Sequence, residues 1–244
     1  MFICLAGCAS VPNEADKDDG ITPAETLYQT AQDQFEEGNY TKSAENFLEV
    51  ERLHPYSKWA TPAQIQGAYA YYKNEKFDDA IKTLERFIKL NPGSDQVPYA
   101  NYLIALSYYN QISDVGRDQK MTLNALDALK TIVDKFPDSD YARDSALKID
   151  LVEDHLAGKE MEVGRYYQQK REYVGAINRF KKVVEEYETT VQVEEALFRL
   201  AECYYALGIV PEAQKYAAVL GHNYPGSKWY ESAYNLINNI SAVK

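Results

Sequence analysis

A recurring spacing of small and aromatic residues constrains the fold of this 244-residue chain more than any other feature. In three stretches (64–92, 162–188 and 197–225) a small residue is followed three positions later by a tyrosine, and nine positions after that by an alanine. Ala68, Tyr71 and Ala80 are one such set. Two of the stretches end in proline, twelve residues after the alanine. A spacing of this kind predicts pairs of antiparallel helices that touch through their small residues.

The pattern resembles the tetratricopeptide repeat, a helix–turn–helix unit of about 34 residues. Its closing proline stops the second helix. Two further units, built around Ala31 with Ser43 and around Ala105 with Ala125, bring the number to five over 24–225. The stretch "SKWYESAYNLINNI" at 227–240 predicts a helix that closes the stack. The predicted fold is therefore all-α, a solenoid of five units plus a C-terminal capping helix.

Two irregularities suggest how the chain is organised. Residues 111–121 lengthen the turn of the third unit, and 139–161 add length between the third and fourth units. Helix-breaking residues are few over 139–170, which predicts one long helix there. Thr22-Pro23 and Thr61-Pro62 each precede Glu or Gln by two residues, a pattern typical of capping boxes. The predicted organisation is a truncated signal remnant (1–7), a lipidated cysteine with a flexible tether (8–21), repeats 1–3 (22–138), and the linking helix with repeats 4–5 and the capping helix (139–244).

The motif "LAGC", which ends at Cys8, resembles the bacterial lipoprotein signal. That resemblance implies cleavage before Cys8 and a covalent lipid on its sulfur. Only seven residues precede Cys8 and none is basic, whereas a signal needs a basic region and a longer apolar stretch, so either the true start lies upstream or the motif matches by chance. Ala9, in place of an aspartate, favours delivery to the outer membrane within that family. Residues 9–20 are small, polar or acidic, which predicts a tether.

Composition argues against several classes of function. A formal charge of −11 disfavours nucleic-acid binding, which needs a basic patch. None of the three histidines pairs with Cys, Asp or Glu at metal-ligand spacing, and the chain has no phosphate-binding glycine loop or nucleophile elbow. Cys203 falls within a predicted first helix and is expected in the core. We expect a non-enzymatic protein with no cofactor beyond the lipid on Cys8.

Function is then expected on the concave groove, which the first helix of each unit lines. Tyr71, Tyr108 and Tyr204 occupy interior positions and are expected to pack. The predicted groove residues are Tyr28, Gln32, Phe35, Tyr69, Tyr72, Lys73, Tyr102, Tyr109 and Asn110. These residues indicate an aromatic peptide-binding groove with one cation, although aromatic side chains also pack solenoid helices. Both interpretations stay open from the residues alone.

The strings "YAYYKN" (69–74) and "RFIKLNP" (86–92), with the lipoprotein motif and acidic tether, resemble the BamD family of the outer-membrane β-barrel assembly machinery. The resemblance implies a lipid-anchored scaffold on the periplasmic face of the outer membrane. Its N-terminal repeats would receive unfolded barrel precursors. Its C-terminal repeats would hold BamA, through a periplasmic POTRA domain, and other lipoproteins of the machinery. Arg179, in "AINRF", resembles part of the partner-binding face and is expected to point outward.

Barrel precursors commonly end in an aromatic residue and a free carboxylate, which an aromatic groove with Lys73 would suit. The main alternative is a periplasmic repeat lipoprotein that organises peptidoglycan enzymes. A cytosolic co-chaperone adaptor fits less well, because its groove would need several cations.

Overall fold

Residues 22–242, which the computed structural model describes (side chains to residue 238), form eleven helices. They are α1 (Ala24–Glu36), α2 (Tyr40–Leu53), α3 (Ala60–Lys73), α4 (Phe77–Leu90), α5 (Val97–Tyr109), α6 (Lys120–Lys135), α7 (Asp140–Gln169), α8 (Tyr173–Glu186), α9 (Val193–Ala206), α10 (Val210–Asn223) and α11 (Lys228–Ala242). Each helix packs on the next, so the five predicted units are α1/α2, α3/α4, α5/α6, the second half of α7 with α8, and α9/α10. The all-α solenoid and its capping helix, α11, are confirmed.

The helices of a unit meet through the small residues that defined the sequence pattern. Ala68 and Ala80 of the second unit are both fully buried. In the first unit Ser43 stands where alanine is usual, and its buried hydroxyl donates a hydrogen bond to the Ala31 carbonyl at 2.8 Å. The serine is therefore tolerated because its polar atom has a partner.

The turns inside four of the units share one backbone feature. Gly38, Glu75, Arg171 and Gly208 each have a positive φ, between 58° and 81°. Glycine adopts this left-handed region readily, whereas glutamate and arginine are uncommon there. The turn of the third unit differs, because the insertion after Tyr109 replaces it.

Helix α7 is the long helix expected from the sequence. Ser139 caps it by accepting a hydrogen bond from the Ala142 amide. The first half packs against α5 and α6, and the second half pairs with α8. Close approach to α8 explains Gly164, because a Cβ at that position would lie 2.5 Å from the Phe180 ring. One helix thus serves two neighbouring units.

Neither predicted capping box forms. Helix α3 begins at Ala60, so Thr61 and Pro62 lie inside its first turn, and α1 has no side-chain cap. Trp59 precedes α3 and packs against Tyr28 with ring centroids 4.7 Å apart. Thr61 lies one residue inside the helix and therefore does not cap it.

Candidate functional site: an aromatic groove

Aromatic side chains form a continuous row across the first two units. Phe35 stacks on Tyr69 at 5.5 Å between ring centroids, and Tyr69 stacks on Tyr72 at 6.2 Å. Tyr72 in turn meets the edge of Phe77 at 5.8 Å. All four rings are only partly buried, so each leaves apolar surface open to solvent. We call Phe35, Tyr69, Tyr72 and Phe77 the aromatic row.

Tyr28, which was also predicted for the groove, lies in a more enclosed position. Its ring contacts Phe47 at 5.1 Å and Trp59 at 4.7 Å, so it joins α1 to α2 and to the start of α3. Burial raises the pKa of the Tyr28 hydroxyl above its usual value. These contacts give Tyr28 a packing role.

Helix α7 closes the groove beside the third unit, a position that the repeat pattern does not predict. Tyr102 stacks on Tyr141 of α7 at 5.1 Å, and Tyr99 lies 5.7 Å from the same ring. The Tyr102 hydroxyl also donates a hydrogen bond to the Asp144 carboxylate. Burial raises the pKa of Tyr99 to about 12, and it raises the pKa of Tyr102 as well.

Lys148 brings a second cation to this end of the groove. Its ammonium lies 5.9 Å from the centroid of Tyr109 and 2.7 Å from Asp144 Oδ2. The hydrogen bond from Lys148, followed by the one from Tyr102, lowers the pKa of Asp144. The repeat pattern predicts only Lys73 as a groove cation, because Lys148 lies outside every recognisable unit.

Lys73 lies at the turn end of the aromatic row, where it is exposed. A cleft of about 380 Å³ is lined there by Tyr72, Lys73, Glu75, Phe77 and Asn110. The Asn110 amide donates a hydrogen bond to the Tyr72 hydroxyl at 2.8 Å, which orients that ring. Lys73 can therefore present a positive charge beside apolar ring surface.

In the last two units, charged side chains that pair with one another line the groove. Arg199 donates to Glu195 at 3.2 Å and to Glu202 at 2.7 Å. Its guanidinium also stacks over Phe198 at 5.5 Å and over Trp229 of the capping helix at 5.4 Å. Although burial alone would lower the pKa of Arg199, its two carboxylate partners raise it. Arg199 therefore ties α9 to α11.

Side chains from α7 complete this charged cluster. Arg165 donates to Glu195 and Gln168 donates to Glu202, each at 3.2 Å. Each carboxylate thus receives one hydrogen bond from within α9 and one from α7. We call Arg165, Gln168, Glu195, Arg199 and Glu202 the ionic groove.

Arg179, the predicted partner contact, lies on α8, away from this groove. Its side chain is 43% exposed and its guanidinium pairs with Glu160 of α7 at 3.0 Å, while Lys182 reaches the same carboxylate at 2.8 Å. Burial opposes ionisation of Glu160, but the hydrogen bonds from Lys182 and Arg179 outweigh it and lower its pKa. The side chain that was expected to point freely outward therefore also holds α7 to α8.

Within residues 22–242, no group of three or more His, Cys, Asp and Glu side chains could hold a metal ion. Cys203 is fully buried in the core, as expected, and burial raises the pKa of its thiol to about 12. No helix in that range combines the length and apolar character needed to cross a membrane. Cys8 lies outside the described residues.

Comparison with known proteins identifies the family. Residues 21–220 match the YfiO family, described as outer membrane lipoproteins. The chain is also 44% identical over 235 residues to the outer membrane protein assembly factor BamD of Caulobacter vibrioides, covering 96% of this chain and 77% of that protein. The BamD of Rickettsia prowazekii is likewise 44% identical, over 97% of this chain and 93% of its own. The chain belongs to the BamD family.

Membership of the BamD family makes the protein an outer membrane protein assembly factor that associates with the outer membrane. The resemblance noted in the sequence is thereby confirmed. Two solved structures are also similar to this chain. The TPR2AB domain of yeast Sti1 in complex with pHSP90 has a TM-score of 0.44 at 12% identity, covering 90% of this chain and 86% of its own. The TPR domain of P58(IPK) has a TM-score of 0.45 at 17% identity, covering 87% and 55%.

Proposed function

We propose that the protein is a non-enzymatic scaffold that binds unfolded β-barrel precursors and docks them on the BamA insertase. The aromatic row is the observation that carries this proposal. Partly exposed rings in a row offer stacking surface to an extended peptide without demanding one sequence. A groove of this kind would suit clients that share aromatic residues and little else.

The cleft at Lys73 would take the end of such a client. A terminal aromatic ring would pack against Tyr72 and Phe77, and the terminal carboxylate would pair with the Lys73 ammonium. Ring burial would supply affinity, and the ion pair would fix the direction of the peptide. Asn110 supports this arrangement, because its hydrogen bond to Tyr72 holds the ring in place.

The C-terminal repeats are proposed to hold the partner, with Arg179 among the contacts to a periplasmic POTRA domain of BamA. Other lipoproteins of the assembly machinery would join the same scaffold. Lipid on Cys8 would anchor the protein at the periplasmic face of the outer membrane, and stable anchoring requires at least two acyl chains. The motif "LAGC" and the lipoprotein description of the matching family support this anchor.

A peptide-binding cycle tests the groove. A fluorescent peptide that ends in phenylalanine, made with a free or an amidated C-terminus, is titrated against wild type and Lys73→Ala. Loss of an exposed ion pair should weaken binding of the free acid by about 0.2–1 kcal/mol. Amidation should weaken wild type to the same degree and have no further effect on the variant.

Lys82→Ala, which removes an exposed lysine from α4, is the matched control and should bind both peptides as wild type does. Equal weakening by amidation in wild type and Lys73→Ala would remove Lys73 from the site.

Affinity capture from detergent-solubilised envelopes tests the wider assignment. Recovery of a β-barrel insertase supports it, whereas recovery of a peptidoglycan synthase would favour the alternative scaffold.

A further inference from the structure

The first half of α7 carries two exposed leucines that no contact in the fold explains. Leu147 is 66% exposed and Leu151 is 61% exposed, one helical turn apart. Asp144 precedes Leu147 by three residues, and Lys148 precedes Leu151 by three. Side chains at this spacing share one side of a helix. We call Asp144, Leu147, Lys148 and Leu151 the α7 face.

This face continues the groove beyond the third unit. Asp144 accepts a hydrogen bond from Tyr102, and Lys148 lies over the ring of Tyr109. Both tyrosines are on the first helix of the third unit, at groove positions. The α7 face therefore begins where the aromatic surface of repeats 1–3 ends, and it adds aliphatic surface with a charged pair at its centre.

A carboxylate from outside the protein can replace Asp144 as the ion-pair partner of Lys148. An ammonium group has three donors, and Lys148 directs one of them to Asp144 at 2.7 Å. The side chains of Lys148 and Asp144 are 23% and 42% exposed, so an incoming carboxylate can reach the lysine. The pKa of Asp144 is lowered by its hydrogen bonds from Lys148 and Tyr102, so this carboxylate is charged at neutral pH and repels a second one.

We propose that the α7 face binds an apolar side chain and an adjacent carboxylate of the client peptide, and that Asp144 occupies the carboxylate position in the free protein. The proposal rests on the peptide-binding function of the groove. The client carboxylate is a chain terminus or an acidic side chain, since both present the same group to Lys148. Leu147 and Leu151 would cover the neighbouring apolar side chain.

Variants on α7 give effects of opposite sign. Asp144→Asn keeps an acceptor for Tyr102 but removes the competing charge, so peptide binding should tighten about fivefold, as expected for loss of one close like charge. Lys148→Gln should weaken binding about fivefold for the converse reason. Leu151→Ser should weaken it about threefold to tenfold through lost apolar burial.

Matched controls remove the effects of net charge and surface polarity. Asp150→Asn changes the net charge identically on the same helix, roughly 120° away from Asp144 around its axis. Leu123→Ser removes an exposed leucine from α6. Both controls should bind peptide as wild type does. Thermal unfolding of each variant verifies that α7 remains folded.

Four peptides, with a free or amidated terminus and with an internal Glu or Gln, are titrated against wild type and these variants. The carboxylate that binds Lys148 is the one whose removal from the peptide abolishes the affinity loss caused by Lys148→Gln. If that carboxylate is the chain terminus, Lys73 is not the partner of the terminus. If the peptides bind wild type but bind Asp144→Asn no more tightly than Asp150→Asn, the α7 proposal is wrong and the proposed function still stands. Failure of all four peptides to bind wild type would instead overturn the proposed function.

Discussion

Two regions of the solenoid use equivalent positions for different chemistry. The residue after the small residue of each first helix is Gln32, Tyr69, Leu106, Arg165 and Glu202 from the first unit to the fifth. In repeats 1–3 the neighbouring positions add aromatic rings that keep exposed surface, whereas in repeats 4–5 they add the ionic groove. Packing positions are constrained by the contact between helices. Groove positions are not constrained in this way, and it is there that the side-chain chemistry of the two regions differs.

The two regions also differ in what their side chains are free to do. Glu195 and Glu202 each receive hydrogen bonds from Arg199 and from a side chain of α7, so the ionic groove is satisfied internally. A partner that used these groups would have to disrupt a partly buried network in which each carboxylate has two donors, whereas a carboxylate at Lys148 would replace a single pair. The aromatic row demands no such exchange, and this is the physical reason to expect client peptides in repeats 1–3.

The largest expected effect is on stability. Arg199→Ala should lower the free energy of unfolding by about 2 kcal/mol, because two carboxylates each lose one of their two donors and two rings lose a stacking contact. Lys73→Ala should stay within about 0.5 kcal/mol, because that side chain is exposed. The chain has two tryptophans, and one lies in each region: Trp59 beside the first unit and Trp229 on the capping helix.

Urea unfolding measures this contrast. In a Trp59→Phe background Trp229 reports the C-terminal region, and in a Trp229→Phe background Trp59 reports the N-terminal one. The loss of stability caused by Arg199→Ala should appear in the unfolding curve that Trp229 reports. Equal losses for Arg199→Ala and Lys73→Ala would erase the distinction between a structural and a ligand-binding groove.

A second prediction separates partner binding from packing on α8. Arg179→Ala should weaken binding of the soluble BamA periplasmic domains more than tenfold, or over 1.4 kcal/mol, if Arg179 is a contact. Lys182→Ala is its control, because it also removes an ion pair with Glu160. Truncation is preferred to charge reversal, which would set a second carboxylate against Glu160.

Calorimetric titration and thermal unfolding of both α8 variants provide the measurement. The two variants should lose similar stability, and neither should alter binding of peptide to the aromatic row. A Lys182→Ala variant that lost as much affinity for BamA as Arg179→Ala would show that the Glu160 cluster acts by holding the helices, without direct contact from Arg179.

The smallest expected effect concerns pH. The folded pKa of Glu160 lies below its usual value, so its ion pairs contribute stability above the unfolded pKa of about 4.3, and this contribution is lost as pH falls through the folded pKa. Glu160→Gln should therefore flatten the loss of stability between about pH 6 and pH 3. The change should be reported by Trp229, and an unchanged acid limb would contradict it.

The sequence predicted those parts of the fold that depend on contacts between neighbouring helices. The spacing from Ala68 to Tyr71 and Ala80 was sufficient, because the two helices of a unit meet through residues close in the chain. The same reasoning placed Cys203 in the core. Helix α7 was predicted from its lack of breakers, but its role in the groove was not, because Tyr141 and Lys148 match no position of a repeat.

Other features depend on partners that are distant in sequence. Glu160 lies 19 residues before Arg179, and no local pattern pairs them. Thr61 is a residue type that favours helix caps, yet α3 begins one residue earlier, at Ala60, where Trp59 contacts the distant Tyr28. Tyr28 stays a predicted groove residue, but its contacts with Phe47 and Trp59 could not be predicted, because both partners are distant in the sequence.

The length of α7 fixes the angle around its axis between the residues at its two ends. At about 100° per residue, Glu160 lies roughly 160° around the axis from Asp144, so the two ends of the helix present opposite sides to their neighbours. Insertion of a single residue between them would turn one end by about 100° against the other. Either the α7 face would leave the groove or Glu160 would leave α8. Length changes between homologues should therefore collect in the 111–121 loop and be rare within 144–160.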